Sequence, residues 1–206
     1  LSTASSCANM SQKAENRRTG LPNVVLIYLD DMGYGDLSLT GATGYKTPNL
    51  DRMASKGMLF THFYSPQAVC TASRAGLLTG CYPNRLGMSG ALSHASTVGL
   101  SADEETIPEL LRERGYATAV FGKWHLGFQE QFLPTKHGFD EFYGIPYSND
   151  MWPRHPTGTY PPLPLFANDV VIDSNVTADD QTKFITDFTM RTIDFIKRKQ
   201  GQPFFV

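Results

Sequence analysis

The chain has 206 residues, with 18 Lys+Arg against 20 Asp+Glu and a formal net charge of −2 at pH 7. That length holds one sizeable α/β domain, and 41% hydrophobic with 12% aromatic residues excludes a disordered polymer. So balanced a charge gives no case for nucleic acid or an anionic membrane surface, and no apolar run is long enough to span a bilayer.

Residues 1–22 are small and polar, then basic at Arg17 and Arg18, and read as a flexible N-terminal arm. Leu1 to Ala8 has the composition of a signal-peptide tail or a degenerate lipoprotein box. The three cysteines, Cys7, Cys70 and Cys81, do not make a disulfide framework. From Asn23 the apolar run Val24-Val25-Leu26-Ile27-Tyr28-Leu29 ends in Asp30 and Asp31, then Gly33 and Gly35. It predicts a buried strand feeding a turn. Adjacent strand residues face opposite ways, so Asp30 and Asp31 share a site only if the strand ends at them. Two such carboxylates suit a hard cation such as Ca²⁺.

Thr47 and Pro48 predict a helix start, with Gly57 closing it. Leu59 to Tyr64 predicts a strand. The run Cys70-Thr71-Ala72-Ser73-Arg74-Ala75-Gly76-Leu77-Leu78-Thr79-Gly80 follows. A helix from about Ser73 would put Cys70 at its N-terminal end and Arg74 one turn on, on the same side. A helix N-terminus presents free N–H groups to an anion. Eleven helical residues would set Cys70 and Cys81 roughly 16 Å apart, beyond disulfide reach.

Thr106-Ile107-Pro108-Glu109 has the capping-box form, with Leu110 and Leu111 supplying an apolar face up to Gly115. Ala117 to Phe121 predicts another buried strand, and Gly122-Lys123-Trp124-His125-Leu126-Gly127 follows it. Lys123 and His125, two apart at a strand's C-terminal end, would point into one cleft. Residues 146–170 are proline-rich and read as a long irregular loop after Gly144-Ile145-Pro146-Tyr147-Ser148. Asn175-Val176-Thr177 is a glycosylation sequon. A helix over 179–199 would carry Ile185, Phe188, Ile193 and Ile196 on one stripe and Lys197-Arg198-Lys199 in its last turn, complementing the dipole. Pro203 to Val206 begins another strand. Strand and helix in alternation predict a mostly parallel sheet with helices on both faces.

The Cys70 run resembles the signature of the type I sulfatases, Cys-x-Pro/Ala-x-Arg followed by Thr-Gly. The Asp30-Asp31 segment, Thr47-Pro48-Asn49, Gly122-Lys123-Trp124-His125 and Gly144–Asp150 match that family in the same order. Lys136-His137-Gly138-Phe139-Asp140 is similar to N-acetylgalactosamine-6-sulfatase, and Gly144–Asp150 to arylsulfatase A. The resemblance implies an alkaline-phosphatase-like α/β sandwich, with 23–206 as the N-terminal part of the catalytic domain, truncated. It also implies a sulfuric ester hydrolase whose Cys70 is converted to formylglycine by a formylglycine-generating enzyme. Asp30, Asp31 and residue 70 would hold Ca²⁺. Arg74 would stabilise the oxyanion of the hydrate, and Lys123 would contact sulfate. His125 would hydrogen-bond the hydrate or take its proton, and Ser148 would touch hydrate or substrate. A sulfated small molecule or glycan is the implied substrate, in a secreted, periplasmic or lysosomal setting.

Ala72 stands where proline is commoner, and Cys81 stands where the family usually has the arginine of the auxiliary modification signal. A non-catalytic anion- or metal-binding domain, or a phosphodiester or phosphonate hydrolase of the same fold, are the alternative readings. Further metal and sulfate ligands are expected beyond residue 206. The chain alone is expected to bind Ca²⁺ weakly, to turn over little substrate and to expose an apolar sheet edge at Phe204 to Val206.

Overall fold

The computed structural model describes residues 20–206; the expected arm through residue 19, with Cys7, lies outside the described residues. The chain forms two compact units, one of residues up to Leu26 with Pro66–Val206, the other Ile27–Ser65.

The smaller unit holds helix α1 (Pro48–Lys56), capped by Thr47 and ended at Gly57 as its turn residues predict. The Thr47 hydroxyl bonds elsewhere: it accepts from the Ser38 N–H at 2.9 Å and donates to Asp51 Oδ1 at 3.0 Å. Ser38 Oγ also donates to Asp51 Oδ2 at 2.7 Å, and these hydroxyls hold the Asp51 carboxyl below its ordinary range. The strand expected over Leu59 to Tyr64 is not formed. Phe60, Phe63 and Tyr64 are exposed, so the β-propensity of that run meets no packing surface to act on.

The larger unit holds helices α2 (Cys70–Thr79), α3 (Ile107–Glu113), α4 (Ala178–Gln181) and α5 (Phe184–Arg198). Its strands are β1 (Ala117–Lys123), β2 (Glu141–Ile145), β3 (Leu165–Ala167), β4 (Val170–Asp173) and β5 (Phe204–Phe205), in the order β4-β3-β2-β1-β5. β1 lies between β2 and β5 and is parallel to both, while β3 and β4 add on antiparallel beyond β2. The α/β class and the parallel core are as expected.

Alternation along the strands builds two layers of core. Ala117, Ala119 and Phe121 of β1 pack with Phe195 of α5 and Phe204, while Tyr143 and Ile145 of β2 pack with Phe184 and Phe188. The intervening residues Val120 and Phe142 face the other way, into a cluster with Ala75 and Leu78 of α2 and Ile107 and Leu111 of α3. Helices therefore cover both faces of the sheet. The capping box of α3 forms as its sequence predicts: the Thr106 N–H donates to Glu109 Oε2 at 2.8 Å.

Four further expectations change. The segment from Asn23 is no buried strand. Val24 makes a parallel bridge to Phe205 and Leu26 N–H donates to Val206 O at 2.7 Å, but Val25 and Leu26 are exposed. Val24 packs partly against the core beside Phe205, and burial of the run stops there. By the same contacts β5 is not the exposed edge: Phe204 and Phe205 are buried between β1 and residues 24–26. The loop read over 146–170 stops at residue 164, where the β3–β4 hairpin begins, turning at Asn168 with φ 52°. The apolar stripe of α5 is rotated from the expected one. Phe184 and Phe195 are buried with Phe188 beside them, whereas Ile185 is 79% exposed. Ile196 still packs against the Phe195 cluster, whereas Ile185 and Ile193 are left outside.

Candidate functional site

Helix α2 begins at Cys70 itself, three residues earlier than its sequence suggests, because Val69 is extended and the Ser73 N–H closes the first turn on Val69 O at 2.8 Å. Gly80, at φ 69°, ends it. Gly76 has a packing role, since a Cβ there would meet Pro66 Cγ at 2.5 Å. Thr71, Ala72 and Ser73 are buried, so the N-terminal turn that carries Cys70 is fixed from below.

The β1 strand brings its C-terminal end to this turn. Lys123 Nζ donates to Cys70 Sγ at 3.3 Å, across 53 positions of sequence, and to Ser148 Oγ at the same distance. Arg74 donates through Nη1 to the Lys123 carbonyl at 2.9 Å, tying the middle of α2 to the strand end. Ser148 follows Tyr147, which is buried with its ring edge-on to Phe128 at 6.1 Å, and burial pushes the phenol further above its ordinary value. Cys70, Arg74, Lys123 and Ser148 thus form one polar centre at the C-terminal margin of parallel strands. Neither Cys70 nor Cys81 is in a disulfide among the described residues.

His125 departs from the simple alternation expected of it. It lies past the end of β1 with φ 61°, and is 1% exposed. Its N–H donates to Pro146 O at 3.0 Å, prolonging the β1–β2 pairing. Its Nε2 lies 2.7 Å from Leu92 O. Thr71, next to Cys70, donates from its hydroxyl to His125 O at 2.8 Å and accepts from the Leu92 N–H at 3.0 Å. Sequence reasoning missed Thr71 and Leu92. Adjacency to Cys70 is a signal for Thr71; nothing in a sequence marks Leu92, which acts through its backbone.

Asp30 and Asp31 belong to the smaller unit, where both are exposed. Asp31 is in the left-handed region at φ 56°, which turns the chain at the pair and breaks the strand alternation that would have separated them.

A sheet layered by helices, with its polar centre beyond the carboxyl ends of parallel strands, is the arrangement of a ligand-binding α/β protein. The Sulfatase family profile matches residues 22–206, and the chain belongs to that family. It is 40% identical over 208 residues to arylsulfatase A of Bos taurus, a match covering 90% of this chain and 40% of that protein. It is 40% identical over 202 residues to N-acetylgalactosamine-6-sulfatase of Canis lupus familiaris, covering 90% of this chain and 38% of that one. Among solved structures, that of Ps i-CgsB in complex with k-i-k-neocarrahexaose superposes with a TM-score of 0.74 at 32% identity, covering 89% of this chain and 43% of that one. The fold is the alkaline-phosphatase-like sandwich of these sulfatases, and the chain spans about two fifths of the length of the curated relatives it matches. Among the described residues no helix is long and apolar enough to cross a membrane.

Proposed function

We propose that this chain carries part of the active centre of a sulfuric ester hydrolase, arylsulfatase-like, that cleaves sulfate monoesters. The observation that carries this reading is Lys123 Nζ, within 3.3 Å of both Cys70 Sγ and Ser148 Oγ at the N-terminal turn of α2. A sulfate ester shields its sulfur with anionic oxygens, so attack needs positive charge arranged beforehand. Lys123, Arg74 and the N–H groups opening α2 supply it within one centre.

Residue 70 works as formylglycine, made from Cys70 by a formylglycine-generating enzyme. Its aldehyde hydrate supplies a hydroxyl nucleophile and a second hydroxyl whose collapse releases sulfate, which a thiol does not provide. Lys123 binds the sulfate oxygens, Arg74 faces the anionic form of the hydrate, and Ser148 positions Lys123 and touches hydrate or substrate. His125 hydrogen-bonds the hydrate or takes its proton.

The donor set fits Ca²⁺. Asp30 and Asp31 are exposed, hard oxygen donors set at a turn. A thiol is a soft ligand that Ca²⁺ does not favour, whereas an oxygen of the converted residue 70 is a hard one. Asp30, Asp31 and residue 70 would hold the ion, which supplies Lewis-acid polarisation of sulfate oxygen when bound. A sulfated glycan or small molecule is the substrate class, in keeping with the neocarrahexaose of the similar solved structure. A secreted, periplasmic or lysosomal location goes with it.

Peptide mass spectrometry across residue 70, from a host that makes formylglycine, tests the conversion directly and is expected to show the aldehyde. In the full-length parent, Cys70→Ala is expected to abolish sulfate-ester turnover. A thiol at residue 70 in an active protein, or undiminished turnover by Cys70→Ala, overturns the reading.

A further inference from the structure

We infer that Thr71 is a positioning residue which, with the backbone of Leu92, holds His125 in the tautomer that carries its proton on Nε2 and leaves Nδ1 as the basic nitrogen. The inference about the ring stands on geometry alone; its meaning for the reaction rests on the sulfatase reading above.

A carbonyl oxygen only accepts. Nε2 of His125, at 2.7 Å from Leu92 O, must therefore be the donor. The other neutral tautomer would set two lone pairs against each other at that distance. A neutral imidazole with its proton on Nε2 has its lone pair on Nδ1.

The acceptor is itself held. Leu92 offers two backbone groups, and both are engaged: its carbonyl by His125 Nε2, its N–H by Thr71 Oγ1 at 3.0 Å. Thr71 then uses its own proton on the His125 carbonyl at 2.8 Å. The three bonds close a loop through Thr71, Leu92 and His125, fixing ring and main chain of the histidine at once. Thr71 is 0% and His125 1% exposed, so water does not compete for these groups. His125 also sits at φ 61°, a backbone conformation that a residue other than glycine adopts only at a cost. The bond from Thr71 falls on the carbonyl of that same residue.

Thr71 follows residue 70 on α2, so the helix that carries residue 70 is coupled directly to the ring orientation of His125.

The test is histidine ¹⁵N NMR on the full chain, in which the five histidines are assigned by substitution. In the wild type, His125 is expected to show an unprotonated, pyridine-type Nδ1 and a protonated Nε2. Thr71→Ser, which keeps the hydroxyl, is expected to preserve this pattern. Thr71→Val is nearly isosteric but makes neither bond; with Leu92 no longer held, the Nε2–H bond weakens and the tautomer ratio is expected to shift by up to about fivefold, the most that one net hydrogen bond typically supplies. A protonated Nδ1 in the wild type, or an unchanged ratio in Thr71→Val, overturns the inference. Should Thr71→Val fail to fold, the wild type decides. A slowly exchanging Thr71 hydroxyl proton close to the Leu92 amide, with coupling from Nε2–H to the Leu92 carbonyl, supports the clamp; absence of either overturns it. No sulfate ester enters the experiment, so an inactive protein can still show the clamp, and an active one can lack it.

Discussion

Glu141, the first residue of β2, accepts two parallel hydrogen bonds from Arg198 in the last turn of α5, Nη1 to Oε1 at 2.8 Å and Nη2 to Oε2 at 2.6 Å. Lys199 Nζ stands 3.6 Å from the same carboxylate. The basic end of α5 therefore does more than complement a helix dipole; it pins the helix to the sheet.

The Arg198 hydrogen bonds hold the Glu141 carboxyl below its ordinary value of 4.5. A carboxylate favoured in the folded state adds stability in full above that value and loses it as pH falls through the folded one. Glu141→Gln is expected to lower stability by about 0.5–1 kcal/mol at neutral pH, a small figure because Arg198 is partly screened by solvent. The gap between the two proteins should close as the solution is acidified below pH 4.5. Urea denaturation of both proteins over that range is the measurement; a gap independent of pH would count against the pair.

His137 is expected to make the protein acid-sensitive. It is fully buried, stacked on Trp124 at 5.9 Å, and neither ring nitrogen meets a hydrogen-bond partner among the described residues. Burial pushes its pKa below the ordinary 6.5, against a smaller opposing pull from Glu109. The neutral form is the folded one, so its stability is complete above 6.5 and falls as pH drops below it. The slope contributed is at most about 1.4 kcal/mol per pH unit. His137→Phe keeps the stack and is expected to flatten the stability profile on the acid side; an unchanged slope would locate the sensitivity elsewhere.

Gly144 is required by its neighbour across the ladder. It pairs in register with Gly122, and a Cβ at 144 would meet Gly122 O at 1.7 Å. The clash is with backbone, which no rotamer change relieves. Gly144→Ala is expected to destabilise the protein by about 3 kcal/mol. It would also displace Lys123, the residue after Gly122, from Cys70. Thermal unfolding reads the first effect, and a melting temperature equal to that of the wild type would contradict it.

Cys81 offers a test of the modification signal. It follows Gly80, the end of α2, and is exposed, so an arginine fits there without repacking. Cys81→Arg is expected to raise the fraction of residue 70 converted to aldehyde, read by peptide mass. Equal conversion in both proteins would show that the arginine is dispensable here.

What the sequence by itself determined is whatever closes within one turn of chain. The Thr106–Glu109 capping box, the Pro48 start of α1 and its Gly57 end involve groups three or four residues apart. The buried apolar run of β1 was equally legible, because Ala117 to Phe121 is apolar on both faces of a covered strand. The chemistry-bearing residues Cys70, Arg74, Lys123 and Ser148 could be named from motifs, but their meeting could not be derived from them. Only the tertiary structure decided that Lys123 reaches both Cys70 and Ser148, and which face of α5 lies on the sheet. It also decided that the apolar residues of the runs at 25–29 and 59–64 stay exposed. Burial needs a partner surface, and a run of apolar residues does not name one. Least legible of all was Leu92, whose carbonyl sets the proton of His125. Every residue has that carbonyl, so only its place in space distinguishes it.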